Sequence, residues 1–199
     1  MISSERAKLR TRLRQARREL SQAERSQAAR RLYRLVVHQR FFINARRIAF
    51  YIPADGEIDL LPLLGKALEM NKHCYLPVLS RHKPYTVSFA PYQAGDPLHE
   101  NRWGIPEPVM RPREFVTPES FNLVFVPLVG FDSWGNRLGM GKAFYDRTFA
   151  FRKWRGRPLL VGMAHECQRV DKIPTADWDV GLDVVVSDRR IYWKGEETD

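Results

Sequence analysis

Cysteine is nearly absent from this sequence, with only Cys74 and Cys167 in 199 residues. Neither belongs to a CxxC pair, which excludes a disulfide framework, and the five histidines show no zinc spacing with them. No apolar run nears the ~20 residues of a membrane-spanning helix. The opening Met1-Ile2-Ser3-Ser4-Glu5-Arg6 lacks the apolar centre of a secretory signal. A cytoplasmic protein in a reducing compartment is expected. The missing Gly-x-Ser-x-Gly elbow argues against a hydrolase-type serine nucleophile. There is no Walker A loop, no internal repeat, no low-complexity tract and no RRM or KH signature. What remains is ordinary globular composition, 44% hydrophobic and 28% charged, long enough for one large domain.

Charge is unevenly spread. The net charge is +10, and residues 1–47 alone hold fourteen Lys and Arg against three acids. Residues 48–199 hold nineteen against twenty, so the body is neutral and one leader carries the basicity. Such a leader suits RNA, an acidic surface or a polyanionic small molecule. It reads as two helices. Leu9, Leu13, Ala16 and Leu20 recur at helical steps, and Ser21-Gln22-Ala23-Glu24 forms a capping box before the stripe Ala28, Leu32, Val36. Arginines four apart share a helix face, so Arg6, Arg10 and Arg14 form one row. Arg12, Arg17, Arg30 and Arg31 are expected in solvent.

Beyond the leader, short apolar runs alternate with helical segments. Ile48–Ile52, 74–79, 86–90, 123–127, 159–164, 183–186 and 191–193 read as strands. Asp59 is placed to cap a helix reaching Met70, with Leu60, Leu64 and Leu68 on one face. Residues 91–120 hold six of thirteen prolines and read mostly as loop. The pattern predicts an α/β single-domain layered fold over residues 1–199, with a largely parallel sheet flanked by helices and the Arg-rich leader (1–45) ahead of it.

The most informative stretch is Phe131-Asp-Ser-Trp-Gly135-Asn-Arg137-Leu138-Gly139-Met140-Gly141-Lys142-Ala143-Phe144-Tyr145-Asp146. A buried strand runs into three glycines, and a helix is expected with Lys142 in its first turn. Glycine lets backbone N–H groups approach an anion, and Arg137 and Lys142 add full charges. The same pattern also describes a plain tight turn. Asp146, with Asp177, Asp179 and Asp183 downstream, are either solvated loop acids or the one or two carboxylates that hold Mg²⁺ beside a nucleotide. On residues alone, an RNA-binding helix, solvated amphipathic helices and another α/β phosphate-binding enzyme all stay open.

That block resembles the signature of the 5-formyltetrahydrofolate cyclo-ligases. Four further features fall in order: Arg6-Ala-Lys-Leu-Arg10, Gly56-Glu57-Ile58, Trp103-Gly-Ile-Pro-Glu-Pro108, and Ile173-Pro174 through Asp179. The resemblance spans essentially the whole chain. It implies an ATP- and Mg²⁺-dependent closure of 5-formyltetrahydrofolate to 5,10-methenyltetrahydrofolate, with release of ADP and phosphate. It implies catalytic roles for Arg137 and Lys142. ATP contacts are implied at Arg6, Arg10, Arg137, Leu138, Gly139, Met140, Gly141, Lys142, Ala143, Phe144 and Tyr145. Folate contacts are implied at Ile52, Glu57, Trp103, Met140, Gly141, Lys142, Ala143 and Phe144, and metal ligation at Asp146 and Asp179. A monomer acting on small molecules, polyglutamylated folate among them, with no nucleic acid or membrane partner, completes the expectation. Three positions depart from the family pattern: Arg6 stands where Lys is common, Ala143 where a third glycine is usual, and Phe144 where the first of two tyrosines is usual.

Overall fold

A computed structural model of the chain describes residues 2–80, 84–109 and 116–196. The leader forms helix α1 (Ile2–Arg18) and helix α2 (Gln22–Val37), followed by a short α3 (Arg40–Ile43). The capping box is present: the Ser21 hydroxyl accepts from Glu24 N, and the Glu24 carboxylate accepts from Ser21 N at 2.8 Å. This satisfies two of the donors that a helix start leaves orphaned. Ala28, Leu32 and Val36 are buried, as their spacing requires.

Strand β1 (Arg47–Ala49) is shorter than the apolar run that announces it. Helix α4 (Leu61–Glu69) begins two residues after Asp59, whose carboxylate accepts from Leu61 N at 2.8 Å. Then come β2 (His73–Leu79), β3 (Val87–Tyr92), the small ribbon β4 (Leu98–Glu100) and β5 (Pro106–Pro108), and β6 (Leu123–Pro127). The ribbon lies within the stretch expected to be mostly loop, of which residues 110–115 fall outside the described residues. A hairpin of β7 (Gly130–Phe131) and β8 (Arg137–Leu138) precedes α5 (Phe144–Thr148), β9 (Leu159–Ala164), β10 (Val184–Ser187) and β11 (Ile191–Trp193).

Seven strands make one sheet in the order β11-β10-β9-β6-β1-β2-β3. The five central strands are parallel and only the outer β3 and β11 run antiparallel, so the layered, largely parallel fold read from sequence is correct. Alternate strand residues feed two cores. Ile48, Phe125, Val161 and Val184 join α2 and α4 on one face. Ala49, Val124, Val126, Leu160 and Val185 join Phe89, Phe121, Phe131 and Phe149 on the other.

The order of strands reverses between β1 and β6: the chain leaves β1 toward β2 and later continues from β6 toward β9. In open α/β sheets the crevice at such a switch point, beyond the carboxyl ends of the strands, is where ligands bind. The two halves of the leader part company here. Helix α2 covers a sheet face, whereas α1 lies beyond the strand ends, where Leu13 is buried with Val129, Leu138 and Ile173.

Candidate active site

The 131–146 block folds as two devices rather than one cradle. Asp132 is fully buried and accepts from Trp134 N, Asn136 N, the Asn136 amide and Ile173 N, at 2.9 to 3.1 Å. It closes the hairpin and ties it to the downstream loop. Gly135 belongs to this turn: its φ is +78°, and a Cβ there would lie 2.5 Å from the Leu182 carbonyl oxygen. Its requirement for glycine is therefore set by the turn, not by a ligand.

The second device starts at Arg137. Its guanidinium donates from Nη1 to the Val180 carbonyl at 2.6 Å and from Nη2 to Asp146 Oδ1 at 2.6 Å. Val180 N donates to the same Asp146 oxygen at 3.1 Å, so three groups close a ring. Burial pulls the Arg137 guanidinium below its usual range, while Asp146 and Asp179 both act to raise it. Both carboxylates expected to hold metal thus face one cation. Arg6 forks onto Asp179 at 2.8 and 3.2 Å, and Ala176 N caps the same carboxylate at 2.8 Å. Arg10 donates to the Gly139 carbonyl at 2.8 Å and lies flat against Gly141, 3.5 Å from where a Cβ would stand. With φ at +95°, Gly141 holds a backbone shape that other residues rarely adopt.

Helix α5 corrects the sequence reading. It begins at Phe144, not at Lys142, and spans five residues, too short for its amino end to serve as an anion site. Lys142 precedes it in the loop, where its carbonyl accepts from Arg147 at 2.7 Å. Ala143 takes the N-cap position with φ at +51°, in the left-handed region. That conformation explains why glycine would suit the position: alanine there carries steric strain.

On the folate side of the expectation, Phe144 is the middle of three rings. Trp103 meets it edge-on with centroids 5.6 Å apart, and Tyr85 lies at 6.2 Å. Arg102 covers Trp103 and Arg147 covers Tyr85. Glu57 sits in the loop after β1, its side chain 13% exposed. Burial pushes its carboxyl up to about 7, with Arg17 acting in the opposite direction. Tyr51 and Tyr145 both feel its charge, and burial raises both phenols. Tyr145 feels Arg137 as well, so it links the Glu57 side to the Arg137 side.

The remaining expected residues differ in how they are placed. Leu138 is fully buried against α1, so only its backbone could reach a ligand, and its carbonyl already accepts from Val129 N at 2.7 Å. Ile52 packs against the sheet core. Met140 is exposed.

Sequence reasoning missed a further cluster. Asp55 accepts from Arg14 at 2.8 Å, Arg17 at 2.8 Å and Arg18 at 2.6 Å. Arg17, expected in solvent, is instead fully buried. The turn signal Asp55-Gly56 was legible, but not what it would be tied to. Arg12, Arg30 and Arg31 are exposed, as expected.

The described residues hold no group of three or more His, Cys, Asp or Glu placed to bind a metal ion. A cage made wholly of these side chains is therefore absent among them. Two convergent carboxylates still suit Mg²⁺, which keeps water and takes phosphate oxygens for the rest of its octahedron. No helix among the described residues is long and apolar enough to cross a membrane.

The profile of the 5-formyltetrahydrofolate cyclo-ligase family matches residues 2–188. A 5-formyltetrahydrofolate cyclo-ligase of Haemophilus influenzae is 35% identical over 188 residues, covering 94% of this chain and all of the relative. Its Escherichia coli K12 counterpart is 36% identical over 151 residues, covering 75% of this chain and 82% of the relative. The solved 5,10-methenyltetrahydrofolate synthetase of Aquifex aeolicus superposes with a TM-score of 0.82 at 30% identity, covering 98% of this chain and 95% of that one. Profile, relatives and fold agree along nearly the full length, and the chain belongs to the 5-formyltetrahydrofolate cyclo-ligase family.

Proposed function

We propose that the groups around Arg137 carry out the family's reaction, the ATP-dependent cyclisation of 5-formyltetrahydrofolate to 5,10-methenyltetrahydrofolate in folate one-carbon metabolism. The observation that carries this assignment is the convergence of Arg6, Arg137, Asp146 and Asp179 from three distant parts of the chain beyond the carboxyl ends of the parallel strands. Residues 1–199 act as one catalytic domain, leader included, in a cytoplasmic monomer.

In this reading Arg6 and Arg10 bind the phosphates of ATP, with the loop from Arg137 to Tyr145 around them. Mg²⁺ would be held by Asp146 and Asp179 and would neutralise phosphate charge. For Asp179 this requires Arg6 to exchange its carboxylate for a phosphate. The formyl oxygen on N5 attacks the γ-phosphate of ATP and ADP leaves. N10 then attacks the activated formyl carbon, loses its proton, and phosphate departs to leave the methenyl bridge. Arg137, fixed on two sides by Val180 and Asp146, would stabilise the transferring phosphoryl group without reorganising, and Lys142 would add a second, mobile charge. No protein nucleophile is required.

Folate would lie between Glu57 and Ile52 on one side and Trp103, Phe144 and the 140–143 backbone on the other. Arg102 and Arg147, at the rim of the ring cluster, supply cations for glutamate carboxylates, single or polymeric. The direct test is absorbance of the methenyl chromophore from 5-formyltetrahydrofolate. It should appear only when MgATP is present. The absence of product with all three components would overturn the assignment.

A further inference from the structure

Arg17 is buried completely, and among the described residues its Nε has no hydrogen-bond partner. Desolvating a guanidinium is costly, which directs attention to what its buried bonds hold. Arg17 Nη1 donates to the Leu128 carbonyl at 3.2 Å, just past the end of β6. Nη2 donates to Asp55 at 2.8 Å, in the loop that follows β1. One guanidinium therefore spans the two strand exits between which the sheet reverses order. Its Cγ also lies 3.6 Å from where a Cβ would stand on Gly56, whose φ is +77°. The loop is held from a second direction by His165, whose Nε2 lies 3.2 Å from the Gly56 carbonyl. Glu57 then closes a turn, bonding Ala54 N at 3.1 Å, with Arg17 Nη1 at 3.9 Å from its carboxylate.

These contacts divide α1 into two ends. Arg6 and Arg10 reach Asp179 and Gly139, while Arg17 reaches the Glu57 loop. We propose that Arg17, acting through Asp55, is a positioning residue for folate: it sets the 53–57 loop so that Glu57 faces the substrate, and leaves nucleotide affinity to Arg6 and Arg10. The inference rests on Glu57 as a folate contact. A purely structural arginine would weaken both substrates alike. A positioning arginine weakens one.

Among the described residues, the charged and titratable groups that act on Glu57 or respond to it are Arg17 from α1, Asp55 on its own loop, Tyr51 after β1 and Tyr145 in α5, while His165 reaches the neighbouring Gly56 carbonyl. Arg17 favours the Glu57 carboxylate and Asp55 disfavours it. The two partners should therefore move the Glu57 ionisation in opposite directions.

Steady-state kinetics of Asp55→Asn, Arg17→Met and Arg17→Lys test the proposal, with exposed Arg12→Gln as the control. Asp55→Asn should raise KM for 5-formyltetrahydrofolate about tenfold, the scale of one lost charge-assisted bond, and leave KM for ATP within about twofold. Arg17→Met should do more, and Arg17→Lys should restore part, because lysine keeps the charge but not the fork. In the pH profile of kcat/KM for folate, Arg17→Met should move the ionisation up and Asp55→Asn should move it down. Equal rises in both KM values, or no rise in either, would overturn the proposal. Should Arg17→Met fail to fold, Asp55→Asn decides alone. Should the wild type fail to cyclise its substrate, the reaction assignment is at fault. Calorimetric titration of 5-formyltetrahydrofolate into wild type and Asp55→Asn without nucleotide then still decides the positioning claim: unchanged affinity refutes it, and about tenfold weaker binding supports it.

Discussion

Arg137 and Asp146 are joined at 2.6 Å, and the same two side chains hold the backbone of Val180 by its carbonyl and its N–H. The hairpin, helix α5 and the 173–180 loop are thereby locked to one another at the point where phosphoryl transfer is assigned. Arg137→Ala should lower turnover at least ~10²-fold, the scale of one preorganised transition-state donor. Arg137→Lys should recover little, since a single ammonium cannot hold Val180 and Asp146 in the same geometry. Wild-type turnover by either variant would refute the assignment.

The Arg6–Asp179 pair predicts a metal phenotype. Asp179→Asn should raise the Mg²⁺ concentration needed for half-maximal rate, and folate binding without nucleotide should stay unchanged. Arg6→Gln should instead raise KM for ATP, with the Mg²⁺ requirement nearly constant. A Mg²⁺ titration of both variants separates the two. If neither Asp179→Asn nor Asp146→Asn alters metal dependence, the ion is held by phosphate and water alone.

Leader charge should matter only where it is aimed. Arg10→Gln removes the side chain that lies along Gly139 and Gly141 and should raise KM for ATP sharply. Changing Arg12, Arg30 and Arg31 together to Gln should hardly alter catalysis, because all three are exposed. Salt-sensitive RNA binding that falls with each exposed arginine removed would give the leader a different ligand.

Glu57 carries a signed pH prediction. Burial raises its carboxyl from 4.5 to about 7, so the folded chain holds a proton that the unfolded chain releases earlier. Stability from this group is present below about pH 4.5 and is lost as pH rises toward 7. Glu57→Gln should therefore gain roughly 1–3 kcal/mol over wild type at pH 8 relative to pH 4, read from denaturant unfolding at the two pH values. The same change should abolish the ionisation near 7 in kcat/KM for folate.

Two small residues should behave oppositely. Gly135→Ala places a methyl group against the Leu182 carbonyl in a left-handed turn and should cost roughly 2–4 kcal/mol. Ala143→Gly relieves a left-handed alanine and should gain about 0.5–1 kcal/mol. Thermal unfolding checks both.

Sequence alone determined the elements whose signals are local. The capping box of α2, the strand runs and the largely parallel sheet follow from hydrogen-bonding chemistry and apolar periodicity within a few residues. The long 131–146 block and its companions were likewise legible as a resemblance, and so was the candidate status of Arg6, Arg10, Arg137, Asp146 and Asp179. What the sequence could not rank was one arginine of the leader against another. Arg12 and Arg17 look alike in a helix rich in arginine, yet one is exposed and the other fully buried. Asp55 and Asp132 carry no local mark of the distant groups they bind: the arginines on Asp55 lie 37 to 41 positions away, and Ile173 lies 41 from Asp132. Helix α5 began late because Ala143 adopts a left-handed shape that periodicity does not encode. These outcomes depend on where β1 and β6 end and on how α1 lies across those ends. A side chain's burial is a property of the surfaces that meet around it, and only the tertiary structure brings those surfaces together.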